Sequence, residues 1–144
     1  MNPSIRRMSM TDLARVAMLS GQLGYPVATE VLARRFAALA ADPDHDVFVA
    51  LLDGCVVGWA HVFEQRLLES EPYAEIGGLV VDADSRRRGV GRALVDEARR
   101  GASARGLGFL RVRSNVVREE AHRFYPSLGF TVLRTQHVYG VKLR

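Results

Sequence analysis

Six consecutive residues, Arg86-Arg87-Arg88-Gly89-Val90-Gly91, carry the plainest chemistry in the chain. They follow a run of β-formers and open a helical pattern. The first turn of a helix presents N–H groups with no intrahelical partner, at the positive end of its dipole. Glycines without Cβ atoms let a pyrophosphate come close to such a backbone. Arginine adds a planar fork of donors suited to phosphate oxygens. Alone, the hexapeptide fits a plain strand-to-helix turn with a solvated basic face equally well. It is not a Walker loop, because no Lys-Ser/Thr follows the glycines, and its glycine spacing differs from the dinucleotide fingerprint. The lone Cys55 excludes an intramolecular disulfide and, between Gly54 and two valines, reads as buried filler. No histidine stands at metal-ligand spacing from a second His, Cys or carboxylate, so no metal is expected.

The elements that must position this loop follow from periodicity. Ser4 to Met8 reads as a first strand, and Thr11 as an N-cap with Asp12 in the first turn. Leu13, Val16, Ala17, Leu19 and Leu23 recur at helical spacing up to Gly24-Tyr25-Pro26. A second helix starts after Thr29 with the face Leu32, Phe36, Leu39 and Ala40. The period then becomes strand-like. Asp46–Leu52 and Cys55–Phe63 flank Asp53-Gly54, a strong two-residue hairpin signal. Glu64–Pro72 reads as a polar loop and Tyr73–Val81 as a further strand, in which Gly77-Gly78 suggests a bulge. After the loop Asp82–Arg88, residues Val90, Ala93, Leu94, Ala98 and Ala102 form one face of a third helix that Gly106 ends. A strand Phe109–Arg113, a helix from about Arg118 to Leu128 ended by Gly129, and one or two closing strands in Phe130–Leu143 complete the order. The fold class is α/β in the sense of an α+β mixed sheet, with a strong antiparallel component rather than strict alternation.

The chain has 144 residues, enough for one compact domain without staples. No apolar run is long enough to span a bilayer, and Met1 to Arg7 lacks the apolar stretch of a signal peptide, so a cytoplasmic location without membrane association is expected. Net charge is +4, nearly all of the positive charge being arginine. That charge is scattered apart from Arg86–Arg88, and no aromatic-rich basic stripe suits a nucleic acid, so none is expected as partner.

The run from Leu79 to Leu94 resembles the central motif of the GCN5-related N-acetyltransferase (GNAT) family: a strand, a short loop, then Gln/Arg-x-x-Gly-x-Gly/Ala opening a helix. Downstream, Ala121-His122-Arg123-Phe124-Tyr125-Pro126-Ser127-Leu128-Gly129-Phe130 resembles the family's second signature, at the expected separation. The resemblance covers nearly the whole chain. It implies a single acyl-CoA N-acyltransferase domain over residues 1–144. Its central, mostly antiparallel mixed sheet would be flanked by about four helices and splayed between the central strand and its neighbour. It implies transfer of acetyl from acetyl-CoA to an amine of a small molecule or peptide by direct attack in a ternary complex. A non-catalytic acyl-CoA sensor and a longer-acyl transferase are the alternatives.

By position, the resemblance places the pantetheine arm on the backbone of Leu79, Val80 and Val81. It places the pyrophosphate on the amides of Arg87, Arg88, Gly89, Val90, Gly91 and Arg92, with the side chain of Arg86 or Arg88 helping. A backbone N–H within Leu79–Val81 would polarise the thioester carbonyl. Tyr125 matches the tyrosine near the CoA sulfur, and Phe124 beside it suits the core. The family's asparagine position seven residues before the tyrosine is Arg118 here, and Asn115 lies three residues earlier in what resembles a longer variant of the signature, so one or both are expected to touch CoA. Asn115 fits a helix cap or turn residue equally well. Glu75, upstream of the bulge, matches a carboxylate that serves several family members as general base; His61, His122 and His137 are weaker candidates. Glu64, Glu69, Glu71 and Glu75 would form an acidic mouth for a cationic amine, or simply a solvated charged loop. Tyr25, Phe36, Trp59 and Phe63 are candidates for the acceptor site or for the core. A homodimer is implied by the same resemblance.

Overall fold

The computed structural model describes residues 2–114 and 116–144. They fall into two compact units, one ending at Val112 and one beginning at Arg113.

The first unit is built on a five-stranded sheet in the order β1-β2-β3-β4-β5. Its strands are β1 (Ser4–Arg7), β2 (His45–Leu52), β3 (Cys55–Leu67), β4 (Ser70–Val81) and β5 (Leu110–Val112). The first four pair antiparallel, and β5 joins β4 in parallel. Helices α1 (Leu13–Gln22) and α2 (Thr29–Ala40) connect β1 to β2, and α3 (Val90–Ala104) connects β4 to β5. The β2–β3 turn is the one its sequence announces. Asp53 and Gly54 both have positive φ, 51° and 77°, as the mirror-image hairpin turn requires.

Each sheet face is buried by the residues whose period matches it. On one face Val49, Val56 and Val80 meet Val16, Leu19 and Phe36 of the first two helices, with Trp59 packed against them. On the other, α3 buries Val90, Leu94, Val95, Ala98 and Ala102. Gly58 of β3 lets α3 approach: a Cβ there would lie 2.9 Å from the Val80 carbonyl oxygen and 3.0 Å from Val90 Cγ1.

Four expectations are corrected. Residues 64–72 are not a loop, since β3 and β4 run on to a two-residue turn at Leu68 and Glu69. The end of that hairpin is solvated on both faces, so its polar composition hides the ladder. Cys55 is exposed rather than buried, because it is the first residue after the turn, at the rim of the sheet. The first helical segment starts at Ser9 rather than Thr11: a 3₁₀ turn, Met10–Asp12, precedes α1, and the Ser9 N–H donates to Asp12 Oδ2 at 2.9 Å.

The fourth correction lies in the second unit. It contains α4 (Glu119–Ser127), capped by Gly129 at φ 92°. Residues 130–144 carry no strand among the described residues, although the composition is strand-like. Backbone extension becomes a strand only where a neighbouring segment closes the ladder.

Candidate active site

The central strand of the first unit has an open flank. β5 pairs with β4 only from Ala74↔Leu110 to Ile76↔Val112. Beyond Ile76, residues 77–81 have no strand on that side among the described residues, which is the expected splay. The bulge also stands where the glycines suggested it. His61 pairs with Gly78 and Val62 with Ile76, leaving Gly77 as the extra residue. Gly78 is needed for space, and Gly77 is closely flanked. A Cβ on Gly78 would sit 2.9 Å from the Trp59 ring, and one on Gly77 would meet Phe63 at 3.0 Å and His61 Nδ1 at 3.2 Å. Of the pantetheine candidates, Val80 is buried while Leu79 and Val81 are half-buried.

The strand leads into the basic loop through a clamp. Asp82 accepts from Arg15 Nη2 at 2.8 Å, Gln22 Nε2 at 3.3 Å and the Asp84 N–H at 3.2 Å. The bond from the Asp84 backbone, aided by Gln22 and Arg15, holds the Asp82 carboxyl below the usual carboxylate range. Gln22 returns a bond through Oε1 from the Ala83 N–H at 3.1 Å. A 3₁₀ turn, Ala83–Ser85, follows. Arg87 and Gly89 then take left-handed φ values of 65° and 80°, which aims the chain into α3. The Ala93 N–H bonds Gly89 O, so the amides of Val90, Gly91 and Arg92 form the helix's first, outward-facing turn. Nothing lies within 4 Å of where a Gly89 Cβ would stand, and Arg86, Arg87, Arg88 and Arg92 are exposed around it. This open cradle of amides, ringed by cations, fits a diphosphate.

Glu75 lies on the bulged strand, buried, with Arg111 Nε at 3.5 Å from its Oε1. Arg111 also covers the Tyr73 ring at 4.7 Å. Glu75 pairs across the sheet with Phe63, and His61, two residues along β3, lies tilted to that ring at 5.5 Å. The acidic mouth does not assemble. Glu64 is paired with Arg66 at 2.9 Å and faces Arg105 at 3.7 Å, while Glu69 and Glu71 are exposed on the hairpin. Tyr25 is exposed, Phe36 belongs to the core, and Trp59 packs over Gly78.

In the second unit, Tyr125 lies on α4 with Phe124 at 5.0 Å and Phe130 at 5.5 Å, both edge-on. Burial pushes its phenol above the ordinary value, and the Arg118 charge pulls the other way. Arg118 is the N-cap of α4, and His122 is exposed. Asn115 lies outside the described residues. Two features had no local sequence signal. The clamp on Asp82 joins residues 60 and 67 apart in sequence, and a contact between His45 and His61 joins two strands.

The profile of the Acetyltransferase (GNAT) family matches residues 10–130, across both units. A curated relative, the uncharacterized N-acetyltransferase YhdJ of Bacillus subtilis (strain 168), is 43% identical over 58 residues; the match spans 40% of this chain and 41% of that relative's length. A transcriptional regulator from Bacillus halodurans C-125 superimposes with a TM-score of 0.83 at 25% identity, over 99% of both chains. AAC(6')-Iy in complex with the bisubstrate analogue CoA-S-monomethyl-acetylneamine superimposes with a TM-score of 0.88 at 20% identity, over 99% of this chain and 100% of that one. With a family match that takes in the open strand flank, the glycine-arginine cradle and the tyrosine helix alike, this chain belongs to the GNAT acetyltransferases, which use acetyl-CoA as donor.

Proposed function

We propose that the protein, as one domain over residues 1–144, transfers acetyl from acetyl-CoA to a primary amine of a small molecule or peptide. The reading is carried by one observation: the unpaired flank of residues 77–81 runs directly into an open helix N-terminus ringed by arginines. The amides of Arg87 to Arg92 hold the diphosphate, and Arg86 or Arg88 adds a charge-assisted bond. The backbone of Leu79, Val80 and Val81 takes up the pantetheine arm as a strand would, and a free N–H there polarises the thioester carbonyl. Holding amine and thioester together removes much of the entropic barrier. Glu75, its charge balanced by Arg111, draws in the ammonium and is a candidate to take its proton. The phenol of Tyr125, kept protonated by burial, donates to the departing thiolate. Asn115, Arg118 or both complete the grip on CoA.

The acceptor is a cationic amine, and the cytoplasm, where acetyl-CoA is made and used, is the proposed location. No helix among the described residues is long and apolar enough to cross a membrane. A homodimer is proposed from the closing segment. Tyr139, Val141 and Leu143 stand at strand spacing, are each more than four-fifths exposed and have no ladder among the described residues, so a second copy supplies one.

The test is thiol release from acetyl-CoA over a panel of aminoglycosides, polyamines, amino acids and peptides. Release with one amine class, with acetylated product found by mass spectrometry, is the expected result. Tight acetyl-CoA binding with no release for any amine would reject catalysis in favour of a sensor.

A further inference from the structure

Two histidines that the acetyl-transfer scheme leaves unused stand beside its reaction centre. His61 is on β3, opposite Gly78, and its Nδ1 faces Gly77. Its Nε2 lies 2.8 Å from His45 Nδ1 on β2. The ring planes are 22° apart with centroids at 5.1 Å, an edge-to-edge arrangement that suits this bond, and the Phe63 ring lies 5.3 Å from that of His45. The second nitrogen of His45 points outward, 3.8 Å from Asp42 Oδ2, whose side chain is 47% exposed. Both imidazoles are half-buried, and Gly77 is exposed. A line of titratable atoms thus runs from the bulge to solvent, with one nitrogen of each ring turned to the next member.

We infer that His61, His45 and Asp42 form the exit path for the proton that the acceptor ammonium loses. The inference rests on the transferase reading above. In the starting state His61 carries its proton on Nε2 and donates to His45 Nδ1, and His45 carries its own on Nε2. The ammonium N–H bond breaks as His61 Nδ1 takes the proton. The Nε2 proton of His61 passes to His45 Nδ1, and the Nε2 proton of His45 leaves to solvent under the pull of Asp42. One proton enters and one departs. The amine's freed lone pair then forms the N–C bond while the C–S bond breaks, and the thiolate takes a proton in its turn.

The surroundings favour a neutral acceptor. Burial, and then the charge of His45, lowers the His61 pKa below the ordinary imidazole value, so the ring is free to accept at neutral pH. The charged groups on this side of the sheet are Asp42 and His45 at the β2 end and Glu75 with Arg111 at the β4–β5 end. Arg15 on α1, which packs on β3, is engaged by Asp82. Glu30, Arg34 and Arg35 lie on α2, which packs on β2. With Glu75 tied to Arg111, His61 is the better-placed acceptor for a proton released at the bulge.

The experiment records kcat/KM against pH for the wild type, His61→Asn, His45→Gln and Glu75→Gln, beside imidazole titrations by ¹⁵N NMR and calorimetric acetyl-CoA affinity. The wild type is expected to show a limb rising with pH that coincides with the NMR titration of His61. His45→Gln, which removes a neighbour whose charged form opposes protonation of His61, moves both to higher pH. His61→Asn abolishes the limb and lowers kcat/KM by roughly 100-fold, with acetyl-CoA affinity unchanged. Glu75→Gln keeps the limb. A limb that survives His61→Asn, or that vanishes in Glu75→Gln, overturns the path. Should His61→Asn not fold, a kinetic limb apart from the His61 NMR titration in the wild type overturns it equally. A wild type that releases no thiol from any amine defeats the transferase reading instead. The path then still falls if His61 titrates at the same pH with and without the His45 imidazole.

Discussion

Gly78 is the residue on which the shape of the β4 bulge turns. An alanine there would place its methyl 2.9 Å from two atoms of the Trp59 ring, and that indole is packed into the helix face of the sheet. Neither partner can retreat without disturbing the bulge. Gly78→Ala is expected to lower stability by about 1–3 kcal/mol and to raise the KM for acetyl-CoA, measured by urea unfolding and steady-state kinetics. A mutant with wild-type kinetics would separate the bulge from the cofactor path. Gly89 acts differently, because the space above it is open and only its φ of 80° needs glycine. Gly89→Ala should cost about 1 kcal/mol from the left-handed backbone and weaken CoA binding. Arg87 holds a similar φ of 65° with a full side chain. Arg87→Gly should relieve that backbone while removing a cation, so stability and CoA affinity are expected to move in opposite directions. At Tyr125 the expected sign is in the chemistry: Tyr125→Phe keeps the edge-on ring contacts but lowers kcat by roughly 100-fold, with acetyl-CoA affinity measured by calorimetry unaltered.

At the scale of elements, signals held in adjacent residues were legible and those joining distant residues were not. Asp53-Gly54 specified its turn because two consecutive positive φ values leave few residue choices. The glycine pair announced the bulge, and the face of α3 followed from its period. The β3–β4 hairpin was misread at residues 64–72, because strand polarity there is set by solvent on both faces. The Asp82 clamp and the histidine pair had no sequence signal, since each is a cross-strand or helix-to-loop contact. Asp12 shows how such contacts carry pH dependence. Arg6 donates to it at 2.8 and 3.0 Å, and the Ser9 N–H at 2.9 Å. The Arg6 bond, with help from Ser9, holds its carboxyl below the usual carboxylate range. A depressed folded-state value contributes stability above the unfolded carboxylate pKa and loses it as pH falls through the folded value. Asp12→Asn should therefore lower Tm at pH 7, with the gap to wild type closing toward pH 2. An undiminished gap at low pH would assign the loss to shape rather than charge.

At the scale of the whole molecule, what is unspent is the closing segment. Val132, Val138, Tyr139, Val141 and Leu143 are all more than four-fifths exposed, in a stretch without a ladder among the described residues. Extended apolar backbone in water is a template for pairing, and proteins either blunt it or use it. Here Gly140 and Lys142 are the only breaks between Tyr139 and Leu143, and Lys142 falls on the opposite parity from the apolar side chains. That pattern has one wet side and one side built for a partner, and antiparallel pairing of two identical segments closes with twofold symmetry and leaves no runaway edge. Light scattering of the purified protein is therefore expected to give twice the chain mass of 15.9 kDa. Val141→Asp puts a charge in the middle of the paired face and should return the mass to that of one chain, while the Tm of the first unit's sheet and helices, followed by far-ultraviolet circular dichroism, changes little. A wild-type monomer at high micromolar concentration would remove the second copy from the account and leave the exposed stretch to pair within its own chain.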